Sequence, residues 1–153
     1  MAPVVLLRLA EMTYGRRPLR LFAKFFAALN LLCFGIEVSP RVRIGGGLFL
    51  PHTVGTVIGA EAIGENCTIM QGVTLGSRRP DIGFTPSERP LVGNGVTICA
   101  GAKIVGRVTI GDNATIGANA VVLEDVPPNA TVAGVPARVV RMAADGESSG
   151  GNG

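Results

Sequence analysis

The 153-residue chain contains one histidine, His52, and it is the first place where chemistry can be sought. An imidazole titrates near neutrality, with an unperturbed pKa of about 6.5, so it can take a proton from a hydroxyl as that oxygen becomes a nucleophile. His52 follows Pro51 and stands just past an aliphatic residue, Leu50. One histidine cannot supply a three-histidine zinc site, and Cys33, Cys67 and Cys99 lack metal-ligand spacing. No metal is expected. The odd cysteine count also argues against a disulfide framework and fits a reducing cytoplasm. Reactive side chains gather once more at 76–91, GSRRPDIGFTPSERPL, where three prolines stiffen a segment carrying both signs of charge.

These groups must be held by a repeating frame. Aliphatic residues recur every six positions at Val38, Ile44 and Leu50, and then, after one extra residue, at Val57, Ile63, Ile69 and Leu75. The period pauses, resumes at Val92, runs through Ile98, Ile104, Ile110, Ile116 and Val122, and ends at Val132. Two residues before most of them stands a small or branched apolar residue, among them Val42, Leu48, Cys67, Val73, Val96, Ala102, Ala114 and Ala130. A unit of six is too short for a helix and turn, but it suits one short strand and a corner, with Gly or Asn turning the chain. Three units close a triangular coil, and stacked coils bury an aliphatic column. The 22 glycines and the 5% aromatic content fit a core of small and β-branched side chains. The pause at 76–91 reads as a loop expelled from the solenoid, where functional insertions map.

Before the repeat, Val4–Met12 and Leu19–Cys33 show helical spacing, broken by Gly15 and Pro18. Four of the six Phe lie between positions 22 and 34, giving a bulky stripe that needs a cover. Residues 1–43 hold seven Lys or Arg and two Glu, a net +5 that leaves −2 for the rest of a chain of net charge +3. The cations read first as the wet face of amphipathic helices, and nucleic-acid binding is not supported. Peripheral contact of this N-terminus with anionic lipid stays open. The first residues lack a basic n-region and a small-residue cleavage site, so no signal peptide is expected, and no apolar run reaches spanning length. The division expected is a helical segment at 1–35, a repeat domain at 36–141 with its loop at 76–91, and a disordered tail at 142–153.

The segments FGIEVSPRVRIGGGLFLPH, TIMQGVTLG, CAGAKIVGRVTIGDNATIGANAVVLEDVP and AGVPARVV resemble serine acetyltransferases, members of the hexapeptide-repeat acyltransferases. The resemblance covers about residues 30–141. It implies an all-β fold, a left-handed parallel β-helix of hexapeptide repeats behind a short N-terminal α-helical cap, assembled as a homotrimer or a pair of trimers. It implies acetyl-CoA as co-substrate, His52 as general base, and Glu37, fifteen positions earlier, as the carboxylate that orients it. It also implies a donor groove lined by Gly76, Ser77, Ala100 and Ala118, with Lys103 and Arg138 for the nucleotide phosphates.

The pattern departs from the family at Pro51, where serine acetyltransferases have Asp, and at Glu88 and Arg89, where they have an Arg-His pair. Loss of those charges would leave the polar groups of serine unpaired. The expectation is therefore O-acetylation of another small hydroxyl acceptor, a sugar unit of a polysaccharide or a natural-product intermediate, with Arg89, Glu88 and Pro51 forming the acceptor pocket. The alternatives are serine O-acetyltransfer in cysteine biosynthesis and a non-catalytic trimeric scaffold.

Overall fold

A computed structural model describes residues 2–80 and 83–143. From residue 144 onward the expected tail lies outside the described residues. Helix α1 spans Ala2–Tyr14 and helix α2 spans Arg20–Phe34, separated by Gly15 and a short 3-10 turn at Arg17–Leu19. They pack as a hairpin in which Asn30, buried in α2, donates its side-chain N–H to the Pro3 carbonyl at 3.1 Å. Gly35 ends α2 in the left-handed conformation, φ 63°, and its N–H donates to the Leu31 carbonyl. That is the cap for which glycine is suited. Arg8 of α1 donates to the Ile44 and Gly45 carbonyls and pairs with Glu11, fixing the hairpin over the start of the repeat.

The repeat then winds through three sheets in turn. The first coil contributes β1 (Ile36–Val38) and β2 (Arg43–Ile44), and reaches the third sheet through a bridge from Phe49 to Thr68. The second contributes β3 (Thr56–Ile58), β4 (Ala62–Ile63) and β5 (Thr68–Ile69); the third contributes β6 (Thr74–Gly76), β7 (Leu91–Val92) and β8 (Thr97–Ile98). The fourth holds β9 (Lys103–Val105), β10 (Thr109–Ile110) and β11 (Thr115–Ile116). The last holds β12 (Val121–Val122), a bridge at Val126 and β13 (Ala130–Ala133), against which β14 (Arg138–Met142) folds back antiparallel. The sheets run β1-β3-β6-β9-β12, β2-β4-β7-β10 and β5-β8-β11-β13-β14, parallel everywhere except at β14. The molecule is a three-sheet parallel solenoid with two helices on it. The all-β expectation holds for the solenoid only, since α1 and α2 are 13 and 15 residues long.

Both classes of repeat position face inward: Ile69, Leu75, Ile98, Ile104 and Ile116 are fully buried, and so are Cys67, Val73, Val96, Ala102, Ala114 and Ala120. Alternation of large and small side chains lets successive coils interdigitate. The register departs from the expected one at a single strand. In β3 the inward residues are Thr56 and Ile58, and Val57 faces out. The first coil is longer than a full repeat, because Ile36 stacks on Thr56, twenty positions on.

The corners also differ from the sequence reading. The glycines that follow the aliphatic positions, Gly45, Gly64 and Gly93, are small because coils touch there. A Cβ on Gly45 would lie 2.6 Å from the Gly64 carbonyl carbon, and one on Gly64 would lie 2.6 Å from that of Gly93. The turning is done elsewhere, by two columns of left-handed residues. Gly47, Asn66, Gly95, Asn113 and Asn129 turn the chain from the second sheet to the third, and Gly55, Gly72, Gly101 and Asn119 turn it from the third to the first. Asn tolerates that conformation because its short amide can hydrogen-bond locally. The third corner, from the first sheet to the second, has no such column, and the loop leaves the solenoid there, between β6 and β7.

Candidate functional site

His52 occupies the corner that leads into the first sheet, where its side chain is exposed. That corner is tied to the end of α2: Thr53 Oγ1 donates to the Phe34 carbonyl at 2.6 Å, and the Gly55 N–H donates to the Gly35 carbonyl at 2.9 Å. The helix terminus therefore sets where His52 stands. Glu37 projects outward from β1, beside Val57 in register. Because this coil is twenty residues long, fifteen positions bring His52 to the corner before β3 rather than level with Glu37. No hydrogen bond joins the two within the single chain.

On the side of the later coils the same corner continues through Gln71, Ala100 and Ala118. The Gly72 N–H donates to the Val54 carbonyl, the Gly101 N–H to that of Gln71, and the Asn119 N–H to that of Ala100. Three coil steps separate His52 from Ala118, about 14 Å at the usual inter-strand spacing. Ala100 and Ala118 thus form a low ridge where a large side chain would otherwise project. Arg138 opens β14 near the far end of this corner, exposed and 3.8 Å from Glu124. Lys103 lies on the outer face of the first sheet, and its ammonium donates to the Gly72 carbonyl and to Thr74 Oγ1.

The opposite edge of the first sheet carries a cavity of about 560 Å³. Glu37, Gly76 and Ser77 line it, and so do residues that the sequence did not single out: Ser39, Arg41, Arg78, Arg79 and Phe84. Arg89 forms its floor. The residue is 9% exposed, and its guanidinium donates from Nη1 to the Gly59 carbonyl at 2.8 Å and stacks on the Phe84 ring with 4.0 Å between Cζ and the centroid. Gly59 is required by that placement, since a Cβ there would lie 2.7 Å from Nη1. Arg41 reaches the Phe84 ring as well and donates to Tyr14 Oη and the Gly83 carbonyl. Arg78 donates to the Leu123 carbonyl at 2.8 Å. The Arg79 guanidinium makes no hydrogen bond among the described residues and faces both this cavity and a neighbouring one of about 510 Å³. Glu88 lines only the neighbouring cavity, and Pro51 and His52 line neither. The three residues expected to form one acceptor pocket are therefore not brought together in a single chain. The doublet Arg78-Arg79 directly after Gly76-Ser77 was the sequence signal for the cationic wall.

Residues 89–124 match the family model for the bacterial transferase hexapeptide, six repeats. A serine acetyltransferase of Synechococcus elongatus is 42% identical over 134 residues, 87% of this chain and 53% of that protein. The chain is a hexapeptide-repeat, serine acetyltransferase-like protein. Solved structures agree with this placement. The serine acetyltransferase from Vibrio cholerae O1 biovar El Tor superposes with a TM-score of 0.83 at 36% identity, over 94% of this chain and 54% of that one. The serine acetyltransferase from Brucella abortus strain S19, solved in complex with coenzyme A, gives 0.83 at 37% identity, over 92% and 55%. This serine acetyltransferase-like chain spans about half the length of the relatives it matches.

The relatives correct the acceptor expected from Pro51, Glu88 and Arg89. The similar proteins are serine acetyltransferases, so a sugar or natural-product hydroxyl gives way to the serine reading. The physical reason lies in the cavity. The missing aspartate and the displaced arginine do not strip the cavity of charge, because Arg41, Arg78 and Arg79 line it together with the carboxylate of Glu37.

Proposed function

We propose that the chain is a serine O-acetyltransferase, moving acetyl from acetyl-CoA to the hydroxyl of L-serine. The observation that carries this is the 42% identity to a serine acetyltransferase over 134 residues, a stretch long enough to include most of the repeat and its loop. In this reading the solenoid is a left-handed β-helix, working as a cytoplasmic homotrimer or pair of trimers. His52 takes the serine hydroxyl proton as the oxygen attacks the thioester carbonyl, and returns it to the CoA sulfur when the tetrahedral intermediate collapses. Products are the acetate ester of serine and free CoA. Glu37 orients the imidazole once a substrate closes the site, favouring the imidazolium that forms in between.

The donor would lie along the small-residue corner, with Ala100 and Ala118 admitting the pantetheine arm and Lys103 and Arg138 near the phosphates. Gly76 and Ser77 stand at the other edge of the first sheet, across from that corner, and so would approach the donor from a neighbouring copy. The same separation supports an oligomer: the base sits at one edge of the first sheet and the Arg89-floored cavity at the other, so a pocket containing both takes them from adjacent chains. Arg89, Glu88 and Pro51 then frame the acceptor, and Arg79 holds its carboxylate. In this frame Arg89 acts mainly by shaping the floor.

The test is release of CoA thiol from acetyl-CoA with L-serine as acceptor. Turnover is expected for the unaltered chain, with a loss of about 10²–10⁴-fold in kcat for His52→Ala. A folded protein that consumes acetyl-CoA with no serine-dependent rate, or a His52→Ala variant that turns over normally, overturns the reading.

A further inference from the structure

The outward face of α2 is built for contact with something apolar and anionic together. Opposite the buried Ala23 and Asn30, the residues Leu21, Phe25, Ala28 and Leu32 follow one another at spacings of four, three and four, and so form one stripe. Leu21 is 77% exposed, Phe25 59% and Leu32 83%, with Phe22 and Leu31 exposed beside them. A helix that buries one side and leaves an equally apolar stripe on the other has a second surface to cover. At its N-terminal end stand four exposed cations, Arg16, Arg17, Arg20 and Lys24, with no acidic residue between Tyr14 and Phe34. None of the four forms an ion pair among the described residues; Arg20 only lies over the Tyr14 ring, 5.2 Å from its centroid.

We propose that this face docks on an anionic lipid surface, with α2 lying in the interface plane, its Leu and Phe side chains among the acyl chains and its four cations at the headgroups. Charge decides between lipid and a second copy of the chain. In a two-fold pairing of this face with itself the cations of one copy meet either those of the other or its uncharged C-terminal turns, and in neither arrangement does an acid of the same stretch stand opposite to pair them. A surface of acidic phospholipid pairs every one of them. The stripe and the cations are also near one another in the sequence, as in helices that lie on a membrane rather than cross it. No helix among the described residues is long and apolar enough to cross one. The His52 corner is tied to the C-terminal end of α2, so docking would hold the base close to the membrane without using any residue of the site.

The experiment is co-flotation of the full chain with phosphatidylcholine vesicles, with and without phosphatidylserine, followed by the mass of the free protein from light scattering. Flotation is expected only with phosphatidylserine. It should weaken as salt rises and fall by about fivefold for each cation removed in Arg16→Ser and Arg17→Ser. It should disappear in Phe25→Asp/Leu32→Asp, while CoA release in free solution and the assembly mass stay those of the unaltered chain. Absence of flotation with anionic vesicles overturns the proposal. So does flotation unchanged by Phe25→Asp/Leu32→Asp, or a fall in assembly mass in that variant, which would make the stripe a contact between copies.

Discussion

Arg89 and Arg79 stand on the same loop with different freedom. Arg89 is enclosed between Phe84 and the Gly59 carbonyl, so its charge stabilises the loop before any substrate arrives. Arg79 has a guanidinium with no hydrogen-bonded partner among the described residues and two cavities to face. A charge-assisted hydrogen bond is worth about 1.5–3 kcal/mol, so Arg79→Ala should raise the KM for serine roughly 10- to 100-fold and leave kcat nearly intact. Steady-state kinetics with serine varied would show it; an unchanged KM removes Arg79 from the acceptor site. Cys67 gives a contrasting case. It is fully buried and donates to the Gly93 carbonyl at 3.1 Å, and burial pushes its thiol above the ordinary value of 9.0. The folded thiol stays protonated where an unfolded one ionises, so this group adds stability below pH 9 and loses it as pH rises from there toward the raised folded value. Alkylation at pH 8 should therefore label exposed Cys33 in the native chain and Cys67 only after unfolding. Early labelling of Cys67 would mean that the coils open locally.

The coils explain what could be read at the scale of an element. Stacked repeats bury the same two positions every six residues, so the inward Ile and Ala columns are written in the period itself. The period fails at Val57 because the coil before it carries a longer corner, the one holding His52, and a turn of that length leaves no hydrophobic signature. The glycines were legible as small residues but not as spacers. Two causes, a left-handed φ and a crowded neighbour, both select glycine, and only the three-dimensional fold separates them. That separation can be checked. Gly64→Ala puts a Cβ against the backbone of the next coil and should cost about 1–3 kcal/mol, whereas Gly46→Ala, with open space around it, should stay within about 0.5. Denaturant midpoints would compare them, and equal losses would show that the coils do not stack that closely. In the candidate site, His52, Glu37 and Arg89 could be picked out by matching segments. Arg41, Phe84 and Arg79 could not, because they meet through the path of the expelled loop, which follows no repeat.

At the scale of the whole molecule, the first sheet separates the two halves of the chemistry. His52 stands at its entry corner and does not line the cavity floored by Arg89 at its exit. In a closed ring of identical chains, the entry corner of one copy can face the exit edge of the next, so each interface would hold one complete site and no chain would hold one alone. This makes complementation the sharpest test of the proposed assembly. His52→Ala and Arg89→Ala should each be nearly inactive with serine. Mixed, denatured together and refolded, they should recover about a quarter of the unaltered rate, since random assembly of adjacent chains pairs an intact base with an intact loop at that frequency. Refolding each variant alone controls for recovery of structure. If the mixture remains as inactive as its parts while assembling to the same mass, base and loop serve the same chain, and the corner at His52 must close over the first sheet of its own solenoid during turnover.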